Sequence, residues 1–233
     1  MDNKNSAEFS PLEGLRVLDL SDEKGELCGR ILGDLGADVL KIESPDGSIS
    51  RSLGPFTPDG TSLYFAYRNL NKRSTLINFN TKDGLENLLS IIKQSDVLIE
   101  TFLPGTLSEL GIAPEMLMNE NPSLIIVSLT DFGQTGPDCT FLGTDDVVFA
   151  RSGWLSVSGV IEKPPLLAPG SVSYDTLGIV GAYATLLGVL HRDRNGTGQH
   201  IDVSAVEALA QMNTWGIPNA SASEVSGGPA TLI

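Results

Sequence analysis

The chain has 233 residues, of which 41% are hydrophobic and 19% charged, enough to bury a core in one large or two small domains. Its formal net charge of −14 argues against nucleic acid as a partner, because a phosphate-binding face needs clustered Lys and Arg. Two cysteines are too few for a disulfide framework and form no metal-ligand cluster, and no apolar run approaches the roughly 20 residues that span a bilayer. We therefore expect a soluble cytoplasmic protein with no metal site and no membrane partner.

Apolar segments with the length of buried strands alternate along the chain with segments of helical periodicity. The predicted strands cover residues 15–20, 38–43, 74–78, 96–100, 123–128 and 201–204. The predicted helices are one that Gly36 ends, one over 82–94 that Thr81 caps, and others near 106–110, 114–119, 146–152, 174–192 and 205–213. This alternation predicts an α/β fold, with a parallel sheet of about five or six strands flanked by helices.

The longest predicted helix, over 174–192, carries small residues such as Gly178 and Gly181, which allow another backbone to come close. Beyond residue 213 the chain is rich in Gly, Ala and Ser and shows no clear period. We therefore predict one α/β domain over residues 1–213, followed over 214–233 by a linker or by the truncated start of a second domain.

Two short motifs admit both a functional and a structural interpretation. The segment 69–73 places two amides and two cations in the turn before a strand, so it could hold a phosphate or form a solvated basic turn. Asp175 lies at the start of the longest helix, where aspartate is a preferred N-cap and a carboxylate is stabilised by the helix N-terminus. Its residue type alone favours the capping role.

Six segments, taken in order, resemble the family III coenzyme A transferases, also called the CaiB/BaiF family, which include formyl-CoA transferase and α-methylacyl-CoA racemase. These segments are residues 11–20, 35–43, 71–74, 96–105, 132–137 and 196–204. The resemblance covers nearly all of the chain to about residue 213, and it implies the open, Rossmann-like α/β large domain of that family. It also implies two chains interlocked as a homodimer when the protein is full length.

The resemblance further implies transfer of coenzyme A from an acyl-CoA donor to a carboxylic acid acceptor, with no permanently bound cofactor. Asp175 matches the family's nucleophilic aspartate, which would carry an aspartyl-CoA thioester, and Asp145 matches an acidic position close to it. The positions that match coenzyme A contacts are Lys24, Gly25, Ser44, Asn69, Asn71, Lys72, Thr101, Phe102 and Leu103.

The chain departs from the family pattern at three places. The segment 21–26 is shorter by one residue and more charged than the common loop, and Glu109 stands where some members have an arginine. Thr144 stands where the racemase branch has a histidine that serves as a base, which argues against racemisation. The chain is also shorter than typical members. Two alternatives therefore remain: an acyl-CoA racemase or isomerase, and a non-catalytic fragment that binds coenzyme A.

Overall fold

The computed structural model describes residues 10–160, 162–216, 218, 221 and 222. Within these residues, six parallel strands form one open sheet. The strands are β1 (Arg16–Asp19), β2 (Asp38–Glu43), β3 (Lys72–Leu76), β4 (Val97–Glu100), β5 (Ile125–Thr130) and β6 (His200–Ser204), and they lie in the order β3-β2-β1-β4-β5-β6. The predicted fold class is confirmed, and each predicted strand is present within about two residues of its predicted bounds.

The described residues form eight α-helices, most of which cover the two faces of the sheet. They are α1 (Glu26–Asp34), α2 (Leu63–Arg68), α3 (Lys82–Ile92), α4 (Thr106–Glu109), α5 (Pro114–Glu120), α6 (Asp145–Arg151), α7 (Val172–Asn195) and α8 (Ala205–Met212), with 3-10 turns at Ile49–Ser52 and Trp154–Val157. One core packs α1, α6, α7 and α8 against the sheet. The other packs α3, α4 and α5 against the opposite face.

The central strands are apolar because both of their faces are covered. Every residue of β4 and of β5 is buried, as the near-continuous runs of Val, Ile and Leu in their sequences predict. The strand order reverses between β1 and β4. In open α/β sheets this reversal leaves a crevice at the carboxyl ends of the two strands, where ligands bind.

The glycines of α7 allow close packing, as the sequence predicted. A Cβ on Gly178 would lie 2.8 Å from the Leu27 Cβ of α1, and one on Gly181 would lie 2.7 Å from a Leu129 methyl of β5. Helix α7 departs from the expectation that no apolar segment could span a bilayer, because by length and composition it could; 44% of its most apolar window is buried inside the protein. Its packing against α1 and the sheet accounts for this apolar composition, which is typical of a core helix.

The start of α7 differs from the prediction. The helix begins at Val172 with Ser171 at the N-cap position, so Asp175 lies inside the first turn and the prediction that Asp175 is the N-cap was wrong. The side chain of Ser171 makes no capping hydrogen bond. Of the predicted linker or second-domain start over 214–233, residues 217, 219, 220 and 223–233 lie outside the described residues.

Candidate active site at the carboxyl edge of the sheet

A cleft of about 290 Å³ opens at the carboxyl ends of β1, β2 and β4, at the point where the strand order reverses. Ser21 and Asp22 contribute from the loop after β1. Ser44 follows β2, and Thr101 and Phe102 follow β4. Three of the predicted coenzyme A contacts, Ser44, Thr101 and Phe102, therefore line one cleft in the position expected for a ligand.

The loop after β1 connects this cleft to the neighbouring strand end. The Asp22 backbone N–H donates to the Thr101 hydroxyl at 2.9 Å, and the Lys24 ammonium lies 3.0 Å from the Asp131 carboxylate beyond β5. Burial acts to lower the pKa of Lys24, but the nearby carboxylates of Asp22 and Asp131 outweigh it and raise this pKa. At Gly25 a Cβ would lie 2.8 Å from Thr101 Cγ2, so only glycine fits there without a shift.

Asp131 joins this loop to the start of α7. Its buried carboxylate accepts a hydrogen bond from the Tyr174 hydroxyl at 3.2 Å and another from the Gly143 N–H at 3.1 Å. Burial and the adjacent Asp131 charge raise the pKa of Tyr174, so the phenol stays protonated and acts as a donor. Sequence reasoning missed both residues, although Asp131 directly follows an apolar strand and Tyr174 directly precedes Asp175.

Asp145 caps α7 from a different helix. Its carboxylate accepts from the Tyr174 backbone N–H at 2.9 Å and from the Ser173 hydroxyl at 3.2 Å. Burial raises the pKa of Asp145 against the opposing effect of these hydrogen bonds. The structure therefore places Asp145 on the two residues that precede Asp175, where it fixes the first turn that carries Asp175.

Asp175 projects from that turn with 44% of its side chain exposed. One carboxylate oxygen lies 2.5 Å from Nη2 of Arg68, the last residue of α2, whose side chain is 5% exposed. The Arg68 guanidinium also lies 4.4 Å from the centre of the Tyr64 ring, and the Tyr64 hydroxyl lies 3.3 Å from the hydroxyl of Ser171. Sequence reasoning missed Arg68, because it did not predict α2.

The segment 69–73 forms an internal junction between elements. The Lys72 ammonium, 1% exposed, contacts the Asp19 carboxylate at 2.7 Å and the Asn69 side-chain oxygen at 2.8 Å. Asn71, with φ of 59°, donates to Asp34 at the end of α1 at 2.7 Å. The Asp19 carboxylate also accepts from the hydroxyl of Ser21, which lines the cleft. The role of residues 69, 71 and 72 in binding coenzyme A stays a prediction, as does that of Leu103, which is exposed.

Paired charges lie beneath the cleft. The Lys41 ammonium lies 3.1 Å from a Glu26 carboxylate oxygen, which also accepts from the hydroxyls of Ser48 and Ser50. Burial would raise the pKa of Asp19, but the Lys72 and Lys41 ammonium groups outweigh it and hold this pKa below its usual range. The buried cations at this edge are thus already neutralised by carboxylates of the same chain.

The described residues bring no group of three or more His, Cys, Asp or Glu side chains together in a way that could hold a metal ion. The charged groups at this edge are carboxylates and their cationic partners. Among these, Asp175 is the carboxylate that combines partial exposure with a buried cationic partner.

Comparison with known proteins identifies the family of this chain. Residues 12–231 match the family model described as CoA-transferase family III. The chain is 37% identical over 217 residues to the succinate–glutarate CoA-transferase of Agrobacterium fabrum, with 87% of this chain and 54% of the relative covered. It is 35% identical over 202 residues to the formyl-CoA:oxalate CoA-transferase of Streptomyces avermitilis, covering 86% and 49% of the two chains.

Among solved structures, a CaiB/BaiF family protein from Brucella suis superposes with a TM-score of 0.87 at 33% identity. That superposition covers 94% of this chain and 59% of the other. The chain spans about half the length of the curated relatives it matches. The resemblance inferred from the sequence is confirmed, since the family match extends over most of the chain: the chain belongs to CoA-transferase family III.

Proposed function

We propose that this protein transfers coenzyme A from an acyl-CoA donor to a carboxylic acid acceptor through an aspartyl-CoA thioester on Asp175. The observation that carries the proposal is the half-exposed Asp175 carboxylate, held on the capped first turn of α7 beside Arg68 in a member of this family. Partial exposure leaves the carboxylate accessible to a substrate, and the cap restricts its position.

The reaction needs a carboxylate nucleophile and two substrates. The acyl-CoA donor supplies the coenzyme A, and the acceptor acid receives it. The Asp175 carboxylate attacks the thioester carbonyl and expels the coenzyme A thiolate, leaving a mixed anhydride. The thiolate then attacks the aspartyl carbonyl, which forms the aspartyl-CoA thioester and releases the donor acid as a carboxylate. The acceptor carboxylate repeats both steps in reverse, which forms the new acyl-CoA and regenerates Asp175.

The cleft beside Ser44, Thr101 and Phe102 would receive part of the coenzyme A. Its position at the reversal of strand order supports this placement. Lys24 lies between this cleft and the start of α7, and its pairing with Asp131 would have to loosen for it to contact a phosphate. Homodimerisation and a cytoplasmic location stay predictions from the sequence.

Intact-protein mass spectrometry tests the nucleophile. The protein is incubated with a panel of acyl-CoAs and analysed before and after treatment with hydroxylamine, which cleaves thioesters. We expect a coenzyme A adduct in the wild type and in Asp146→Asn, which removes an exposed neighbouring carboxylate, and none in Asp175→Ala. An adduct that survives Asp175→Ala would contradict the assignment of the nucleophile.

The two alternatives give different results in related assays. In a racemase or isomerase, deuterium from solvent would enter the acyl α-carbon; here Thr144, at the position of the racemase histidine, caps α6 by accepting from the Val147 N–H at 3.4 Å. A non-catalytic module would bind coenzyme A without any adduct on Asp175. Neither alternative is favoured by a contact that the structure shows.

A further inference from the structure

The ion pair between Arg68 and Asp175 joins an enclosed cation to a more open anion. The Arg68 side chain is 5% exposed, whereas the Asp175 side chain is 44% exposed. Nη1 of Arg68 is buried and has no hydrogen-bond partner among the described residues. The stacked ring of Tyr64 covers part of the guanidinium. Because Arg68 is nearly enclosed and Asp175 is half exposed, the accessible side of this ion pair is the side that Asp175 occupies.

The covalent step of the proposed function changes the charge of this pair. When Asp175 becomes an anhydride or a thioester, its carboxylate loses its negative charge, while the guanidinium stays charged at any physiological pH. A buried cation left without a counter-charge is strongly unfavourable, because burial has removed most of its hydration. In the acylated state Arg68 therefore lacks an anionic partner, whereas in the resting state Asp175 is that partner.

We propose that Arg68 binds the carboxylate of the acceptor acid, and that it does so only after Asp175 has been acylated. This inference rests on the proposed function and adds to it a residue that recognises the second substrate. An arginine guanidinium suits a carboxylate, because its N–H groups match the two oxygens in geometry and charge. At the place of the former ion pair, the acceptor oxygen lies next to the aspartyl carbonyl that it must attack.

The exchange of Asp175 for the acceptor carboxylate at Arg68 also sets the order in which the two half-reactions occur. While Asp175 is ionised it occupies Arg68 and repels a second carboxylate, so a free acid competes poorly for the site. After acylation, Asp175 no longer occupies Arg68 and no longer repels a second carboxylate. The acid product of the first half-reaction would leave from the same guanidinium, but Arg68→Leu also removes the resting ion pair with Asp175, so its net cost there is smaller than in the second half-reaction.

The first experiment measures carboxylate binding without any catalysis. Asp175→Asn imitates the uncharged state of the modified side chain with almost the same shape. Acetate is titrated by NMR into the wild type, Asp175→Asn, Asp175→Asn/Arg68→Leu and the charge control Asp146→Asn, with chloride at matched ionic strength. We expect Asp175→Asn to bind acetate about tenfold more tightly than the wild type, as a gained charge-assisted hydrogen bond implies. Adding Arg68→Leu should abolish the gain, and Asp146→Asn should behave as the wild type.

Equal acetate affinity in Asp175→Asn and the wild type, or a gain that survives Arg68→Leu, would overturn the inference. Circular dichroism checks that each variant is folded. If Arg68→Leu does not fold, Arg68→Gln serves in its place, since it keeps a polar side chain and removes the charge. The same two outcomes then decide the result.

The second experiment separates the two half-reactions. In Arg68→Leu we expect the KM for the acceptor acid to rise by about tenfold or more, while formation of the coenzyme A adduct slows much less. Arg68→Lys, which keeps the charge, should recover part of the loss. Equal losses in both half-reactions would show that Arg68 only positions Asp175. If the wild type itself forms no adduct, the proposed function fails, whereas an adduct without the acetate response refutes this inference alone.

Discussion

Glu100 at the end of β4 gives a quantitative prediction for the pH dependence of stability. The residue is 2% exposed, and its carboxyl group accepts one hydrogen bond from the Phe102 N–H at 2.7 Å. Burial raises the pKa of Glu100 to about 7, against the smaller opposing effects of Ser128 and Phe102. Glu100 is therefore largely protonated in the folded protein at moderately acidic pH.

The sign of the effect follows from comparing the two states. A glutamate with the ordinary pKa of 4.5 in the unfolded chain ionises well before the folded one, which ionises near pH 7. Between these values the folded state binds more protons, so its free energy of unfolding falls as pH rises. The contribution is fully present below the unfolded pKa, and the total loss is about 3 kcal/mol at about 1.4 kcal/mol per pKa unit.

Glu100→Gln removes this titration while keeping the size of the side chain. Stability is measured by urea denaturation from about pH 5.5 to pH 8, a range that avoids the acidic pH at which this chain loses its net charge. At the lower limit about 1 kcal/mol of the loss has already occurred, so the variant should gain about 2 kcal/mol on the wild type across the range. The His200 Nε2, on a ring whose pKa burial lowers, lies 2.8 Å from the Ser128 hydroxyl, which also acts on Glu100, so the comparison is repeated with His200→Gln in both proteins.

A difference between Glu100→Gln and the wild type that stays constant with pH would refute this reasoning. It would mean that Glu100 titrates alike in the folded and unfolded states. If Glu100→Gln instead loses stability relative to the wild type as pH rises, the sign is reversed, and the folded state stabilises the carboxylate.

Three further predictions concern stability and are measured by urea denaturation. Asp145→Ala should lower the free energy of unfolding by about 1–2 kcal/mol, because α7 loses the carboxylate that caps its first turn; an unchanged value would contradict that role. Asp19→Asn should cost about 3–5 kcal/mol by leaving the Lys72 ammonium buried without its anion, and adding Lys72→Met should recover part of this loss rather than add to it. Gly178→Ala should destabilise the protein by about 1–3 kcal/mol, since its Cβ would lie 2.8 Å from the Leu27 Cβ, and an unchanged or higher free energy of unfolding would show that the contact yields.

Strands and long helices were predictable because their signal is local. The strand over 38–43 was predicted with the bounds that β2 has, and Thr81 caps α3 as its sequence indicates. Helix α2 was missed because its sequence, Leu63–Arg68, is short, rich in aromatic residues and without a clear polar face. The polar strand β3 was placed two residues too late, since it lies at the edge of the sheet and lacks the apolar pattern of a central strand.

Sequence reasoning could propose individual residues of the candidate site. It could not propose the ion pairs and hydrogen bonds that join them to distant segments. The family resemblance identified Asp175 and Asp145 as site residues, and the structure brings both to the first turn of α7, while their catalytic roles stay a prediction. The partners Arg68 and Asp131 could not be deduced, because they come from distant segments and their pairing depends on tertiary packing. Lys72 was expected to be available to a phosphate, whereas folding places it against Asp19, a contact between residues 53 apart in sequence.

The cations at this edge differ in whether they can change partners, and the difference depends on how exposed each ion pair is. Lys41 and Lys72 are each 1% exposed, so breaking their ion pairs would leave a charge buried and would disturb the folded state. Lys24 is 14% exposed, and Arg68 is paired with a carboxylate that is itself 44% exposed. We therefore expect an anionic ligand at this edge to compete more readily at Arg68 and Lys24 than at Lys41 and Lys72. In a chain with a net charge of −14, such a ligand depends on cations whose own carboxylate partners can yield them.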